Sequence, residues 1–238
     1  MSKVILVASG KGGTGKTMFS SNLGGILAEA GKNVVIVDAD MGQRNLDLYL
    51  GLENRVVYDA YDVMTGVCTV EQALIRDKRF PSLYIMAASP ASDDGELTPD
   101  NMKELCDNLR KGFDYVIIDG PSGIEQNLRN AAAGADAAII VTVPEYSSLR
   151  DADILDRVLL GNGIRERYYV LNKVMVELMK EGYGPSLKEI AGILMPELLG
   201  IIQFDENIFI STTLGVPIVF QKETYIKENF RRIANRIK

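Results

Sequence analysis

The sequence predicts an α/β fold: a mostly parallel, twisted sheet with helices on both faces. Three observations predict it. Eight short apolar runs alternate with stretches whose apolar residues recur at helical spacing. Two of those runs end in an aspartate, where an open parallel sheet offers its ligand-binding edge. A glycine-rich turn joins the first run to the first helical stretch. With 238 residues and 47% hydrophobic composition, the expectation is one compact domain spanning 1–238, with no internal repeat or low-complexity tract.

Composition removes several function classes. Net charge is −6, from 26 basic and 32 acidic residues, so the basic surplus of a non-specific nucleic-acid binder is missing and nucleic acid is not an expected partner. No run of 18 apolar residues is present to span a bilayer. The start, MSKVILVASG, leads straight into a strand without a leader pattern. Cys68 and Cys106 are too few for a disulfide framework, and a reducing cytosol is expected. Without histidine, His-based zinc sites and Ser-His or Cys-His catalysis are excluded.

The first run is Val4 to Ala8. Gly10 follows, then four residues, then Gly15-Lys16-Thr17. This is the G-x-x-x-x-G-K-[ST] pattern between a strand and a helix, which cradles nucleotide phosphates. Gly12, Gly13 and Gly15 can take backbone angles closed to other residues, so successive N–H groups, including that of Thr14, turn inward. The helix starting near Lys16 aims its positive end at the same point. Lys16 is expected on the β- and γ-phosphates, and the Thr17 hydroxyl on Mg²⁺. Lys11 is a second lysine in the loop, either a solvated charge or a cation offered to a neighbouring subunit's nucleotide.

The next elements complete a βαβ unit. Leu23, Ile26, Leu27 and Ala30 make a helical stripe that Gly31 ends. Asn33 to Asp40, NVVIVDAD, reads as a buried parallel strand with Asp38 and Asp40 at its end. One carboxylate would serve the Mg²⁺ shell and the other would orient the attacking water; the structural alternative is capping of the next helix. Short helices are expected around Tyr58–Met64 and Val70–Leu74, a solvated turn at Arg76-Asp77-Lys78, and a third strand over Leu83 to Ala87. Ser89 to Pro99 reads as a loop, and a helix runs from Pro99 to Arg110.

Phe113 to Asp119, FDYVIID, runs into an aspartate followed by Gly120-Pro121-Ser122-Gly123. Asp119 is expected beside the phosphates, holding Mg²⁺ directly or through water, and the Gly-Pro segment as a mobile γ-phosphate sensor. A fifth strand covers Ala137 to Val143. Ser147 or Ser148 is expected to cap the following helix, with Asp151 in its first turn. A sixth strand, Tyr168 to Leu171, ends in Asn172-Lys173-Val174-Met175. GTP-binding proteins carry N-K-x-D there, and the thioether of Met175 cannot replace the aspartate that accepts from guanine. Asn172 can still meet adenine's edge, so ATP is favoured. Leu199 to Gln203 is a seventh strand, Glu206 to Leu214 a helix, and Gly215 to Val219 a turn with a short eighth strand. In the last stretch Ile226, Phe230, Ile233 and Ile237 line one helix face among basic residues. A helix packed on the domain is preferred over one lying on an anionic membrane.

Lys11-Gly12-Gly13-Thr14-Gly15-Lys16-Thr17 resembles the deviant Walker A motif of the MinD/ParA ATPases. Asp38-Ala39-Asp40, Gln43 to Asp47 and Arg55 to Asp59 are similar to the switch I stretch of that family's MinD branch, and Pro144 to Asp153 to its PE-x-SS-x-R-D segment. The resemblance covers nearly the whole chain. It implies a P-loop nucleoside triphosphatase that uses ATP and Mg²⁺ and dimerises when ATP is bound. Gly10, Lys11, Gly12, Gly13, Thr14, Gly15, Lys16, Thr17, Asp38, Asp119 and Asn172 would bind the nucleotide. Thr17, Asp40 and Asp119 would serve the metal. Lys11 from the opposite subunit, Lys16 and a water placed by Asp40 would carry hydrolysis. It also implies spatial control of cell division with MinC- and MinE-like partners. Gln203 departs from the proline usual there. The family's separate terminal membrane helix is expected to be absent, which leaves peripheral contact with the inner face of the cell membrane open. The competing readings are a ParA-like partition ATPase, a flagellar or polar-positioning ATPase, and an ATP-bound scaffold without turnover.

Overall fold

The computed structural model describes residues 2–41, 43–90, 97–221 and 223–237. Eight strands form one sheet: β1 (Lys3–Ser9), β2 (Val34–Asp38), β3 (Ile75–Arg76), β4 (Leu83–Met86), β5 (Tyr115–Ser122), β6 (Ala137–Thr142), β7 (Glu166–Val174) and β8 (Glu197–Gln203). Their spatial order is β3-β4-β2-β5-β1-β6-β7-β8. Every pairing is parallel except β3 with β4.

Helices bury both faces, which is why the central runs are continuously apolar rather than alternating. Along β1, Val4, Leu6 and Ala8 pack toward α5 (Pro99–Leu109), α6 (Gln126–Ala132) and α7 (Tyr146–Gly161). Ile5 and Val7 pack toward α1 (Lys16–Glu29) and α11 (Tyr225–Arg236). The last helix therefore belongs to the core. Phe230 lies 5.7 Å from Phe19 between ring centres, and Lys227, itself buried, reaches Glu29 at 2.6 Å. The remaining helices are short: α2 (Leu46–Leu50), α3 (Ala60–Met64), α4 (Val70–Ala73), α8 (Val176–Lys180), α9 (Leu187–Ile193) and α10 (Glu206–Thr213). Among the described residues, no helix is long and apolar enough to cross a membrane.

Four expectations need correction. The eighth strand is not within Gly215 to Val219, where Ile218–Phe220 forms a 3₁₀ turn; it is Ile75–Arg76, antiparallel at the sheet edge. Asp77 is not solvated. It is buried and accepts from Arg79 at 2.5 Å, so an ion pair replaces its lost hydration. Gly120-Pro121-Ser122, expected as a separate segment after the strand, is the end of β5 itself, paired to β1 across a register shift between Val7 and Ser9. At α7 the cap position is Glu145; Ser147 and Ser148 lie inside the helix, and the first turn holds no acidic residue. The expected loop from Ser89 to Pro99 lies partly outside the described residues, and Pro99 itself opens α5.

Candidate nucleotide site

The candidate residues come together at the C-terminal ends of β1, β2, β5 and β7. The loop after β1 delivers Gly10 to Gly15, and α1 begins at Lys16. Gly13 and Gly15 have φ of 78° and 96°, the left-handed region that favours glycine. Gly12 does not, so its glycine is not explained by backbone angle. Gly10 answers a different constraint: a Cβ there would stand 2.5 Å from the Asp151 carbonyl oxygen of α7.

Lys16 is buried, and its ammonium donates to the Ser122 hydroxyl at 2.9 Å. Burial lowers its pKa, while Asp119, Asp40 and Asp38 act in the opposite sense. Asp38 and Asp119 are neighbours in register on β2 and β5. Both are buried, and burial raises both carboxyls above their ordinary range. Asp119 raises Asp38 further. Asp119 is in turn held down by hydrogen bonds from Thr17 and Ser20, the latter at 2.8 Å, and by Lys16. Half-buried Asp40 is also raised by desolvation, against the pull of Lys16.

Asp38 performs the capping role as well. Its carboxylate accepts from the N–H groups of Asp40, Asn45 and Leu46, each at 3.1 Å, and so holds the first turn of α2. Asn172 is buried at the end of β7, where its amide nitrogen donates to the Thr14 carbonyl at 2.8 Å. Lys11 is exposed on the rim of the loop. Met175 precedes α8 and, with Lys173 and Phe204, borders a cavity of about 270 Å³. Gln203 closes β8 and is exposed.

Three residues at the site escaped sequence reasoning. Ser122 was read only as part of a mobile segment, yet it holds Lys16. Ser20 lies one helical turn beyond Lys16 and steadies Asp119. The Lys173 ammonium donates to the Gly13 carbonyl at 2.8 Å. The Asn-Lys pair at the strand end was the available signal for the last; the spacing from Lys16 to Ser20 was the signal for the second.

A magnesium-bound phosphate chain suits these residues. The Thr14 hydroxyl is buried without a hydrogen-bond partner among the described residues, an acceptor or donor awaiting a ligand. The donors are all oxygens, as Mg²⁺ requires.

These features define a phosphate-binding-loop α/β protein with a carboxylate-lined site at the strand ends. The AAA domain family matches residues 2–160. The septum site-determining protein MinD of Bacillus subtilis (strain 168) is 44% identical over 239 residues, covering 100% of this chain and 89% of that protein. A solved MinC:MinD cell division protein complex of Aquifex aeolicus is 37% identical with a TM-score of 0.91, covering 99% and 96%. MinD from Pyrococcus horikoshii OT3, solved with Mg-ADP, is 29% identical with a TM-score of 0.88, covering 100% and 96%. The chain belongs to the MinD family of septum site-determining proteins.

Proposed function

We propose that this chain is an ATP-dependent dimerising ATPase, one domain over 1–238, acting as a molecular switch in division-site placement. The observation that carries the reading is the buried Lys16 ammonium, set among Asp119, Asp40 and Asp38 beneath a glycine loop. Phosphoryl transfer needs little covalent chemistry from the protein; positioning and charge stabilisation suffice. Lys16 would exchange its bond with Ser122 for the β- and γ-phosphate oxygens. Thr17 and Asp119 would hold Mg²⁺, which would spread the developing negative charge. Asp40 would orient the attacking water or serve the metal's water shell. Asn172 would meet the adenine edge, beside the cavity bordered by Met175 and Phe204.

Lys11 supports the dimer reading because it is exposed on the loop rim, open to a second copy. From the opposite subunit it would neutralise charge on the transferring phosphoryl group. ATP then becomes the ligand that joins two copies, and hydrolysis separates them. The partnership expected from the relatives is with a MinC-like protein; a MinE-like activator and peripheral contact with the inner membrane face extend the same proposal.

Sizing chromatography with Mg·ATP or Mg·ADP tests it, on wild type, Asp40→Ala and Lys11→Ala, with phosphate release measured alongside. The expected result is a dimer for Asp40→Ala in ATP, monomers for all three in ADP, and a monomer with depressed release for Lys11→Ala. Monomers throughout would remove the switch. A dimer with no release in wild type would leave an ATP-bound scaffold instead.

A further inference from the structure

Lys173 is the one non-glycine residue with positive φ among the described residues, at 54°. That backbone is unfavourable for an L-residue, and lysine lacks the short polar side chain that eases it in asparagine or aspartate. Strain of this kind persists only where surrounding structure enforces it, and it gathers at functional sites. Here it resolves a geometric conflict. Successive side chains of an extended strand point to opposite faces. Residues 172 and 173 would therefore not both reach one loop. The turn at Lys173, where β7 shifts register against β8 between Leu171 and Val174, removes that restriction.

The outcome is a double tether. Asn172 Nδ2 donates to the Thr14 carbonyl and Lys173 Nζ to the Gly13 carbonyl, both at 2.8 Å. The two acceptors belong to successive peptide units. In a trans peptide the carbonyl and the following N–H point in opposite directions. Drawing both carbonyls toward β7 therefore turns the N–H groups of Thr14 and Gly15 away from it.

We propose that Lys173 is a positioning residue for the phosphate-binding loop: its left-handed backbone lets its ammonium and the Asn172 amide lock two successive peptide planes, so that the Thr14 and Gly15 amides face the phosphates before they arrive. This rests on reading residues 10–17 as the phosphate cradle. Lys173 acts through the loop backbone and not on the base. It therefore affects a baseless polyphosphate as much as a nucleotide.

The test is competition titration of Mg·ATP and of Mg·tripolyphosphate, on wild type, Lys173→Met, Lys173→Arg and Lys173→Gly, with thermal melts of each. Lys173→Met keeps the stem and deletes the cation. It should weaken both ligands by the same factor, between about threefold and tenfold, the range for an ordinary hydrogen bond, because solvent around the exposed ammonium screens its charge. Lys173→Arg should recover at least half of the loss. Lys173→Gly should weaken both ligands as Lys173→Met does while melting no lower than wild type, because glycine accepts the positive φ. A merely structural lysine cannot move affinity down and stability level or up in one variant. Lys173→Met binding both ligands within twofold of wild type would overturn the proposal. A loss confined to ATP would overturn it too, by placing Lys173 at the base. Wild type that binds neither ligand would overturn the cradle reading along with it.

Discussion

The ammonium of Lys16 stands 2.9 Å from the hydroxyl of Ser122, so the first residue of α1 is bonded to the last residue of β5. This contact sets the state of the site before nucleotide enters. A buried cation needs a partner, and Ser122 supplies one that phosphate oxygens can replace. Ser122→Ala should therefore destabilise the nucleotide-free protein, by about 1–2 kcal/mol for a buried donor left unpaired. The same change should tighten ATP, because the bond no longer has to be exchanged. Melting without nucleotide and a fluorescent-ATP titration check both directions. Weaker ATP binding in Ser122→Ala would show that the hydroxyl serves the bound state instead.

Asp38 ties the strand end to α2. Asn45 caps that helix without a side-chain bond of its own, and the amides of Asn45 and Leu46 are satisfied by Asp38 from seven and eight residues earlier. Asp38→Ala should loosen residues 45–50 locally. Hydrogen exchange should speed at Asn45 and Leu46, while β1 and β5 keep their protection. The expected cost is about 1 kcal/mol, that of a lost helix cap, eased by removing a carboxylate beside Asp119. Unchanged exchange at those two amides would refute the remote cap.

How much of this arrangement was legible in the sequence depends on the range of the forces involved. The strand–loop–helix of residues 3–29 was readable because apolar run, glycine spacing and helical stripe are local signals. Gly120-Pro121 misled because both residues usually end strands. β5 keeps them because its ladder with β1 shifts register between Val7 and Ser9, where Pro121 has no N–H to offer. β3 was invisible: two residues carry no periodicity, and Ile75 is held by pairing with Ile85. The charged triplet that starts at Arg76 hid Asp77, whose partner Arg79 donates also to the carbonyls of Leu50 and Gly215. Ser122 and Lys173 were missed for the same reason: each bonds a residue more than 100 positions away in the chain.

The start of β1 offers a pH test away from the nucleotide site. Burial alone would raise the Asp136 carboxyl, but bonds from the Arg110 guanidinium and the Val4 amide, with Lys3 nearby, outweigh it and hold it below the ordinary value. Arg110 donates twice, at 2.7 and 2.8 Å. The folded pKa is thus below the unfolded one. The stabilisation is complete above the unfolded value of about 3.9 and disappears as pH falls through the folded value. Asp136 is partly exposed, so solvent screening limits the contribution to below about 1 kcal/mol. Asp136→Asn should melt lower than wild type at pH 7, and the gap should narrow as pH drops below about 4. A gap independent of pH would assign the effect to packing.

Two glycines of the phosphate loop should respond very differently to a single methyl group. At Gly15 the backbone sits at φ 96°, and a Cβ would lie 2.4 Å from the Asn172 amide nitrogen. Gly15→Ala must bear left-handed strain of about 1–2 kcal/mol and also push Asn172 off the Thr14 carbonyl. At Gly12 the angle is outside that region and the nearest atom to a new Cβ is the Ser122 hydroxyl at 3.8 Å, ordinary contact. Gly12→Ala should therefore stay within about 0.5 kcal/mol of wild type, as surface changes without a named conflict do. Urea midpoints of the two variants measure the difference directly, and Gly15→Ala should fall by at least about 2 kcal/mol once the lost hydrogen bond is included. Equal midpoints would mean that the Asn172 tether and the left-handed turn at Gly15 do not hold the loop in its folded shape.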